Sequence, residues 1–248
     1  MTSDSRRWPR KVVLAVARPG WEQRWAISVA VLAALAVALT VTVRNTDLLP
    51  GERSVSRWMF EHAGGAGKDV SAVLDVGMSK EVAPVMLAVL IPLVWWAWGR
   101  YAAFALVLAG LIAALSLIDL ASRPVPTDEF ALGGSADGVA GYPSGHVIYA
   151  VIVLGFPAFL ASRYGAPTRT RTALVWALVT LVVLMGPSRL VEQAHWPADV
   201  IGGYLIGLAL LLGTIWLHNH TLSWIGPRFP RLHSLLTGDP PPRPGEAP

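Results

Sequence analysis

A stretch of twelve residues, from Ser188 to Asp199, carries an arginine, a glutamate, a histidine and an aspartate between two long apolar runs. Ionisable side chains at the end of a membrane helix are costly and usually serve a function. His195 and Asp199 are four residues apart, with Pro197 between them where a helix can begin. Such a helix places Asp199 about one turn after His195, where its carboxylate can hold the imidazole in one tautomer. These two residues predict half of a catalytic site.

The other half of the site is predicted by a Ser-Gly-His sequence directly before another apolar run, and by two arginines. The sequence is Ser144, Gly145 and His146, and the arginines are Arg123 and Arg189. Guanidinium groups donate to phosphate in a planar fork, and glycine lets the backbone approach an anion closely. A helix that begins at His146 adds its N-terminal amides. Two histidines then allow one to attack phosphorus and the other to protonate the leaving oxygen, which predicts phosphoryl transfer.

The composition indicates a membrane protein. Of 248 residues, 54% are hydrophobic and only 15% are charged, whereas an ordinary globular domain has roughly a quarter charged. The chain has no cysteine, which excludes disulfides and thiolate metal sites. The net charge of +4 comes from basic residues that flank apolar runs. This pattern indicates membrane topology signals, and no nucleic-acid partner is predicted.

Six apolar runs have lengths close to that of a membrane-spanning helix. They cover residues 25–43, 82–98, 101–120, 147–161, 172–186 and 200–217. A cleaved signal peptide is the alternative for the first run, but its length and the lack of a clear cleavage site favour an uncleaved helix. We therefore predict an all-α polytopic membrane protein with six transmembrane helices. Its parts are a basic cytoplasmic segment (1–24), a six-helix domain (25–217) with an outer loop (44–80), and a cytoplasmic tail (218–248).

The basic residues are distributed unevenly between the two sides that six spans define. The side that holds both termini has thirteen Lys and Arg and four acidic residues, and the other side has seven and twelve. The positive-inside rule therefore places both termini in the cytoplasm. The loops that carry Arg123, residues 144–146 and residues 189–199 then all face outward from the cell membrane.

Other ionisable residues near these spans receive ordinary interpretations. Glu192 is predicted to be a solvated loop residue. His218, His220 and His233 follow the last span, and we predict that they are interfacial. Two alternating histidines without a third nearby ligand make a poor metal site. No metal and no cofactor are predicted.

The motifs resemble those of the type 2 phosphatidic acid phosphatase superfamily, the membrane relatives of the vanadium haloperoxidases. That family has the motifs Lys-x6-Arg-Pro, Pro-Ser-Gly-His and Ser-Arg-x5-His-x3-Asp. The second is complete at residues 143–146, and the third is complete within residues 188–199. The first is partial, because Arg123 and Pro124 are present but Ser116 stands where the family has lysine.

The resemblance covers about residues 45–217 and implies a haloperoxidase-like helical core with metal-independent phosphatase activity. It implies that His195 is the nucleophile that forms a phosphohistidine, that Asp199 orients it, and that His146 is the general acid. The resemblance also implies a set of ligands for the phosphoryl oxygens: Arg123, Ser144, Gly145 and Arg189.

The resemblance implies hydrolysis of a lipid phosphate or diphosphate on the outer face of a bacterial plasma membrane. Polyprenyl diphosphates of wall synthesis and phosphatidic-acid-type lipids are the leading substrates; the motifs leave head group, chain length and oligomeric state open. A phosphotransferase that passes the phosphoryl group from His195 to another lipid is one alternative. A degenerate lipid-binding or scaffolding protein is another; the two complete motifs oppose it, and the missing lysine favours it.

The serine at position 116 raises the question of what replaces the family's lysine. If residues 101–120 and the following turn are helical, residues 116, 119 and 123 share one face. Asp119 could then pair with Arg123 and hold it in position. The alternative source of the missing cation is Lys80, at the outer end of the second apolar run.

Overall fold

The computed structural model describes residues 21–46, 48–79, 82–124, 139–164 and 168–237. These ranges are mostly helical, as predicted. The helices are α1 (Trp21–Asn45), α2 (Glu52–His62), α3 (Gly64–Gly77), α4 (Val82–Trp98), α5 (Arg100–Ala113), α6 (Gly145–Arg163), α7 (Thr168–Val191), α8 (Pro197–Arg228) and α9 (Pro230–Thr237). A 3-10 turn (Ala114–Leu117) follows α5, and the strands β1 (Ala121–Pro124) and β2 (Val139–Tyr142) pair antiparallel.

Four of the described helices, α1, α6, α7 and α8, are long and apolar enough to cross a bilayer. The helices α4 and α5 are apolar but shorter, with 17 and 14 residues. At about 1.5 Å per residue they extend about 26 and 21 Å, less than the roughly 30 Å of a hydrocarbon core. Four described helices are thus candidate membrane spans by length and composition, and the full set of six spans stays a prediction.

The prediction of one helix over residues 101–120 is wrong at the C-terminal end of that range. The α-helix α5 stops at Ala113, the 3-10 turn follows, and the backbone is extended at Ile118. The chain then enters β1, whose pairing with β2 takes up its backbone hydrogen-bonding groups. Apolar composition does not distinguish a long helix from a short helix followed by an extended segment.

Helix α6 is the centre of the bundle. Thirteen of its 19 residues are buried, and it packs against α5, α7 and α8. A helix that is apolar on all sides belongs in the interior, whereas α1 exposes large apolar side chains such as Val31 and Leu35. Because α6 begins at Gly145, its central position places the Ser-Gly-His sequence in the middle of one end of the bundle.

Two glycines bring α8 close to α6. A Cβ atom at Gly203 would lie 2.9 Å from the carbonyl oxygen of Ser144, and one at Gly207 would lie 3.0 Å from the Cβ of Val151. Glycines four residues apart lie on one face of a helix and let two membrane helices approach each other. The start of α8 therefore lies directly against the start of α6, and the Ser144 amide donates to the carbonyl oxygen of Asp199 at 3.0 Å.

The segment 44–80, predicted as an outer loop, contains the helices α2 and α3. Helix α3 packs against α7, and its Leu74 side chain is buried in the main hydrophobic core. The opposite face of α3 exposes three valines, Val70, Val73 and Val76. This segment is therefore a packed part of the bundle at the end where the site residues lie.

His218 corrects the prediction of an interfacial histidine and of a tail that begins at residue 218. It lies inside α8 and is buried. Its ring stacks on Tyr101 with centroids 4.8 Å apart, and the Tyr164 hydroxyl lies 3.2 Å from its Nε2. Tyr101 lies in the first turn of α5 and Tyr164 follows α6, so this aromatic cluster marks the end of the bundle opposite to Ser144.

Candidate active site

The predicted site residues lie at one end of the bundle, at six positions along the chain. The predicted helix starts are confirmed to within one residue, because α6 begins at Gly145 and α8 begins at Pro197. The site residues and their positions are Arg123 on β1, Ser144 before α6, Gly145 and His146 in the first turn of α6, Arg189 in the last turn of α7, His195 between α7 and α8, and Asp199 in the first turn of α8.

Asp199 is fully buried and joins several of these parts. Its Oδ2 accepts the backbone N–H of Trp196 at 2.9 Å, which caps the start of α8. Its Oδ1 accepts a hydrogen bond from Arg123 Nη1 at 2.7 Å. His195 Nδ1 lies 3.7 Å from Oδ2, which is within ion-pair distance but beyond hydrogen-bond distance. Asp199 thus fixes the helix start beside His195 and contacts the imidazole only loosely.

Arg123 lies between two buried carboxylates, those of Asp199 and Glu52. Its Nη2 donates to Glu52 Oε2 at 2.5 Å, and its Nη1 lies 3.3 Å from Glu52 Oε1. Burial lowers the pKa of Arg123, but the hydrogen bonds and charges of Glu52 and Asp199 outweigh this effect and the net shift is upward. Glu52 also accepts the backbone N–H groups of Ala198 at 3.0 Å and Leu49 at 2.7 Å. The cation and its two acids therefore form one buried cluster that connects α2, β1 and α8.

Asp75, near the end of α3, contacts both Arg189 and His146. Its Oδ1 lies 2.5 Å from Arg189 Nη1 and 3.3 Å from His146 Nε2. The Arg189 side chain is 2% exposed, whereas the side chains of Asp75 and His146 are 44% and 29% exposed. Asp75 and His146 therefore lie at the open rim of the site, and Arg189 lies beneath them.

Four buried polar atoms of the predicted site have no hydrogen-bond partner among the described residues. They are Nε and Nη2 of Arg189, Oγ of Ser144 and Nδ1 of His195. A buried polar group without a partner costs about 1–3 kcal/mol. Guanidinium nitrogens and a serine hydroxyl are donors that an anion with several oxygens accepts, and the amides at the start of α6 are further donors of this kind. The arrangement suits a phosphoryl group.

The region around the missing lysine differs from the predicted one. Ser116 lies in the 3-10 turn and Arg123 on a β-strand, so the prediction that residues 116, 119 and 123 share one helix face is wrong. Asp119 lies against Gly141 of β2, where an added Cβ would come within 1.8 Å of its Oδ1. It also lines a polar cavity of about 510 Å³ between the end of α1 and β1, together with Arg44.

The carboxylates that pair with the guanidinium of Arg123 are thus those of Glu52 and Asp199. The alternative cation, Lys80, lies outside the described residues. Among the residues that the structure describes, no group of three or more His, Cys, Asp or Glu could hold a metal ion.

Glu52 and Asp75 are the two site residues that the sequence did not reveal. Neither belongs to a motif, and both lie in the segment predicted as a loop. The imbalance of charges in the motifs was the available signal. A buried arginine needs a nearby carboxylate, and the motifs contain two arginines but a single aspartate. That signal calls for further acids without saying which of the chain's acids they are.

Two comparisons relate the chain to known proteins. Residues 98–222, half of the chain, match the family model of the PAP2 superfamily. The crystal structure of the first transmembrane PAP2 type phosphatidylglycerolphosphate phosphatase from Bacillus subtilis is similar in fold. The TM-score is 0.61 at 14% identity, with 77% of this chain and 95% of that chain covered. No curated protein matches the sequence at a significant level. The matched range includes all seven predicted site residues, whereas Glu52 and Asp75 precede it.

Proposed function

The chain belongs to the PAP2 superfamily, and from this premise we propose that it hydrolyses a lipid phosphate or diphosphate at the outer face of the cell membrane. The observation that carries the proposal is the set of buried donors on Arg189 and Ser144 that have no hydrogen-bond partner among the described residues, at the end of the bundle where His195 and His146 also lie. Such a set is matched by a tetrahedral anion, and the two histidines supply the groups that a phosphoryl transfer needs.

The first chemical step is attack of His195 on phosphorus. The geometry favours Nε2 as the nucleophile, because Nδ1 is the nitrogen on the side of Asp199. A rotation that brings Nδ1–H into hydrogen-bond range of Asp199 leaves the lone pair on Nε2. The P–N bond forms as the bond to the leaving oxygen breaks, and His146 gives that oxygen its proton. Arg189 and Ser144 stabilise the charge on the other phosphoryl oxygens.

The second step hydrolyses the phosphohistidine. His146, which lost its proton in the first step, takes a proton from a water molecule, and the water oxygen attacks phosphorus. The P–N bond breaks, inorganic phosphate leaves, and His195 and His146 return to their starting states. A lipid alcohol in place of this water would give a phosphotransferase instead.

Arg123 has a different role in this proposal from the one that the motif implies. Its guanidinium donates to Glu52 and Asp199, and it is 3% exposed. We propose that Arg123 holds Asp199, and through it the start of α8, while Arg189 binds the phosphoryl group. The site then uses one phosphate-binding arginine and one structural arginine.

The surface around the site favours a substrate anchored in the membrane. Helix α3 carries Asp75 at the rim, and its exposed side chains include the valines Val70, Val73 and Val76. An exposed apolar row beside the rim allows acyl or prenyl chains to stay in the bilayer while the head group reaches His146.

Phosphate release from a panel of lipids tests the proposed function. The purified protein in detergent is incubated with phosphatidic acid, phosphatidylglycerolphosphate and a polyprenyl diphosphate. We expect free phosphate from at least one of them, activity that survives chelators, and inhibition by vanadate, which resembles the pentacoordinate state. Transfer of labelled phosphoryl groups to an added lipid alcohol would identify the phosphotransferase. Binding without release or transfer would identify the scaffolding protein.

The proposed orientation, with six spans and both termini in the cytoplasm, is tested by single cysteines, because the native chain has none. Ser135→Cys, between Arg123 and Ser144 in the sequence, is expected to react with an impermeant thiol reagent in intact cells. Thr170→Cys, at the exposed start of α7, is expected to react only after permeabilisation. The reverse pattern would place the active site in the cytoplasm.

A further inference from the structure

We propose that Asp75 is a positioning residue that fixes the distance and orientation between the phosphate-binding Arg189 and the proton donor His146. This inference rests on the proposed function. A single carboxylate oxygen, Oδ1, contacts both groups, at 2.5 and 3.3 Å. No motif of the chain includes Asp75, and it precedes the range that matches the family model.

The contact with Arg189 leaves room for the substrate. Asp75 takes only Nη1, whereas Nε and Nη2 are buried and have no partner in the described part of the chain. Nε and Nη2 form one edge of the guanidinium plane, which can bind two phosphoryl oxygens side by side. A phosphate bound at that edge does not have to displace Asp75. The aspartate therefore fixes the plane of the guanidinium before and during binding.

The contact with His146 serves the proton transfer. A carboxylate at one ring nitrogen fixes the rotation of the imidazole, as partners of metal-bound histidines do. It also places a negative charge beside the imidazolium that a proton donor must first become. The same oxygen thus ties the position of the acid to the position of the phosphoryl group. General acid catalysis depends on that distance, because the proton must reach the leaving oxygen directly.

The position of Asp75 is set by packing of the helix that carries it. The neighbouring residue Leu74 is buried in the core, and Met78 is buried one turn further along. Both fix α3 against α7, which carries Arg189 in its last turn. The carboxylate itself is 44% exposed, so its contribution lies in orientation and not in the stability of the fold.

The test compares two substrates that differ only in the leaving group. One is an alkyl lipid phosphate, whose leaving oxygen is basic, and the other is an aryl phosphate, which needs little protonation. For Asp75→Ala we expect kcat to fall about 100-fold with the alkyl substrate and about 10-fold with the aryl substrate. Asp75→Asn keeps the size of the side chain and should show the same inequality. Asp75→Glu should recover part of the alkyl activity.

Two other variants calibrate the comparison. His146→Ala should show the same preference for the aryl substrate, because it removes the acid itself. Asp69→Asn is the matched control, since Asp69 lies on the same helix with an exposed side chain, and its activity should stay within about twofold of wild type.

Equal losses of kcat on both substrates in the Asp75 variants would overturn the proposal. A lower KM with unchanged or higher kcat would also overturn it, because that result means that the carboxylate competes with the phosphate for Arg189. Failure of the proposed function is distinguishable, since the wild-type protein would then release no phosphate from either ester.

Discussion

Replacement of His195 by alanine is expected to lower phosphate release by about 10⁴-fold or more, since loss of a nucleophile that acts covalently is among the largest single-residue effects in enzymes. No other step of the proposed mechanism can form the phosphohistidine. The fold should persist, because Asp199 Oδ2 is already bonded to the amide of Trp196 and Oδ1 to Arg123. The loss therefore reports chemistry and not unfolding.

The measurement has two parts, steady-state phosphate release and trapping of a labelled phosphoenzyme by denaturation at alkaline pH. Wild type should retain label that is stable in base and labile in acid, as expected for a phosphoramidate, and His195→Ala should retain none. His220→Ala is the matched control, because His220 is a partly exposed histidine beyond the buried His218 on the same helix, α8. Label that persists in His195→Ala would assign the nucleophile to another residue.

Replacement of Arg123 by alanine is expected to destabilise the protein by about 3–5 kcal/mol, because it leaves the buried carboxylates of Glu52 and Asp199 without their cation. Activity should fall with it, since Asp199 loses one of the contacts that hold it beside His195. The measurement is the thermal unfolding midpoint in detergent, with phosphate release measured well below that temperature.

A second variant separates this role from phosphate binding. In the double variant Arg123→Ala with Glu52→Ala, one of the two uncompensated carboxylates is gone, so stability should recover part of the loss. Arg44→Ala is the control, because Arg44 is an exposed arginine that donates to the carbonyl oxygen of Leu120, next to β1. An unchanged unfolding midpoint in Arg123→Ala, with a raised KM for the lipid, would show that Arg123 is a phosphate ligand as the motif implies.

Arg123 and Arg189 both belong to motifs, but the motifs do not show that their guanidinium groups have different partners. Arg123 and Arg189 look alike in the sequence, each in a polar stretch beside an apolar run. In the structure, the guanidinium of Arg123 contacts two carboxylates, whereas one edge of Arg189 has no hydrogen-bond partner in the ranges that the structure describes. The difference depends on Glu52 and Asp75, which lie 71 residues before Arg123 and 114 residues before Arg189.

The sequence by itself determined what depends on local chemistry. The apolar runs predicted apolar helices, and their ends predicted helix starts near His146 and at Pro197, where the fixed φ of proline suits the first turn. The motif spacing also placed His195 within one turn of Asp199. The roles of these residues in catalysis stay predictions until the variants are measured.

Only the tertiary structure decided which charges meet. The end of α5 at Ala113 and the pairing of β1 with β2 position Arg123, and the packing of α2 and α3 on α7 brings Glu52 and Asp75 to the site. Each of these depends on contacts between segments far apart in the chain. The residues next to a carboxylate in the sequence do not identify the cation with which it pairs. Charge pairing in this protein is therefore a consequence of helix packing, whereas helix formation is largely a property of each segment.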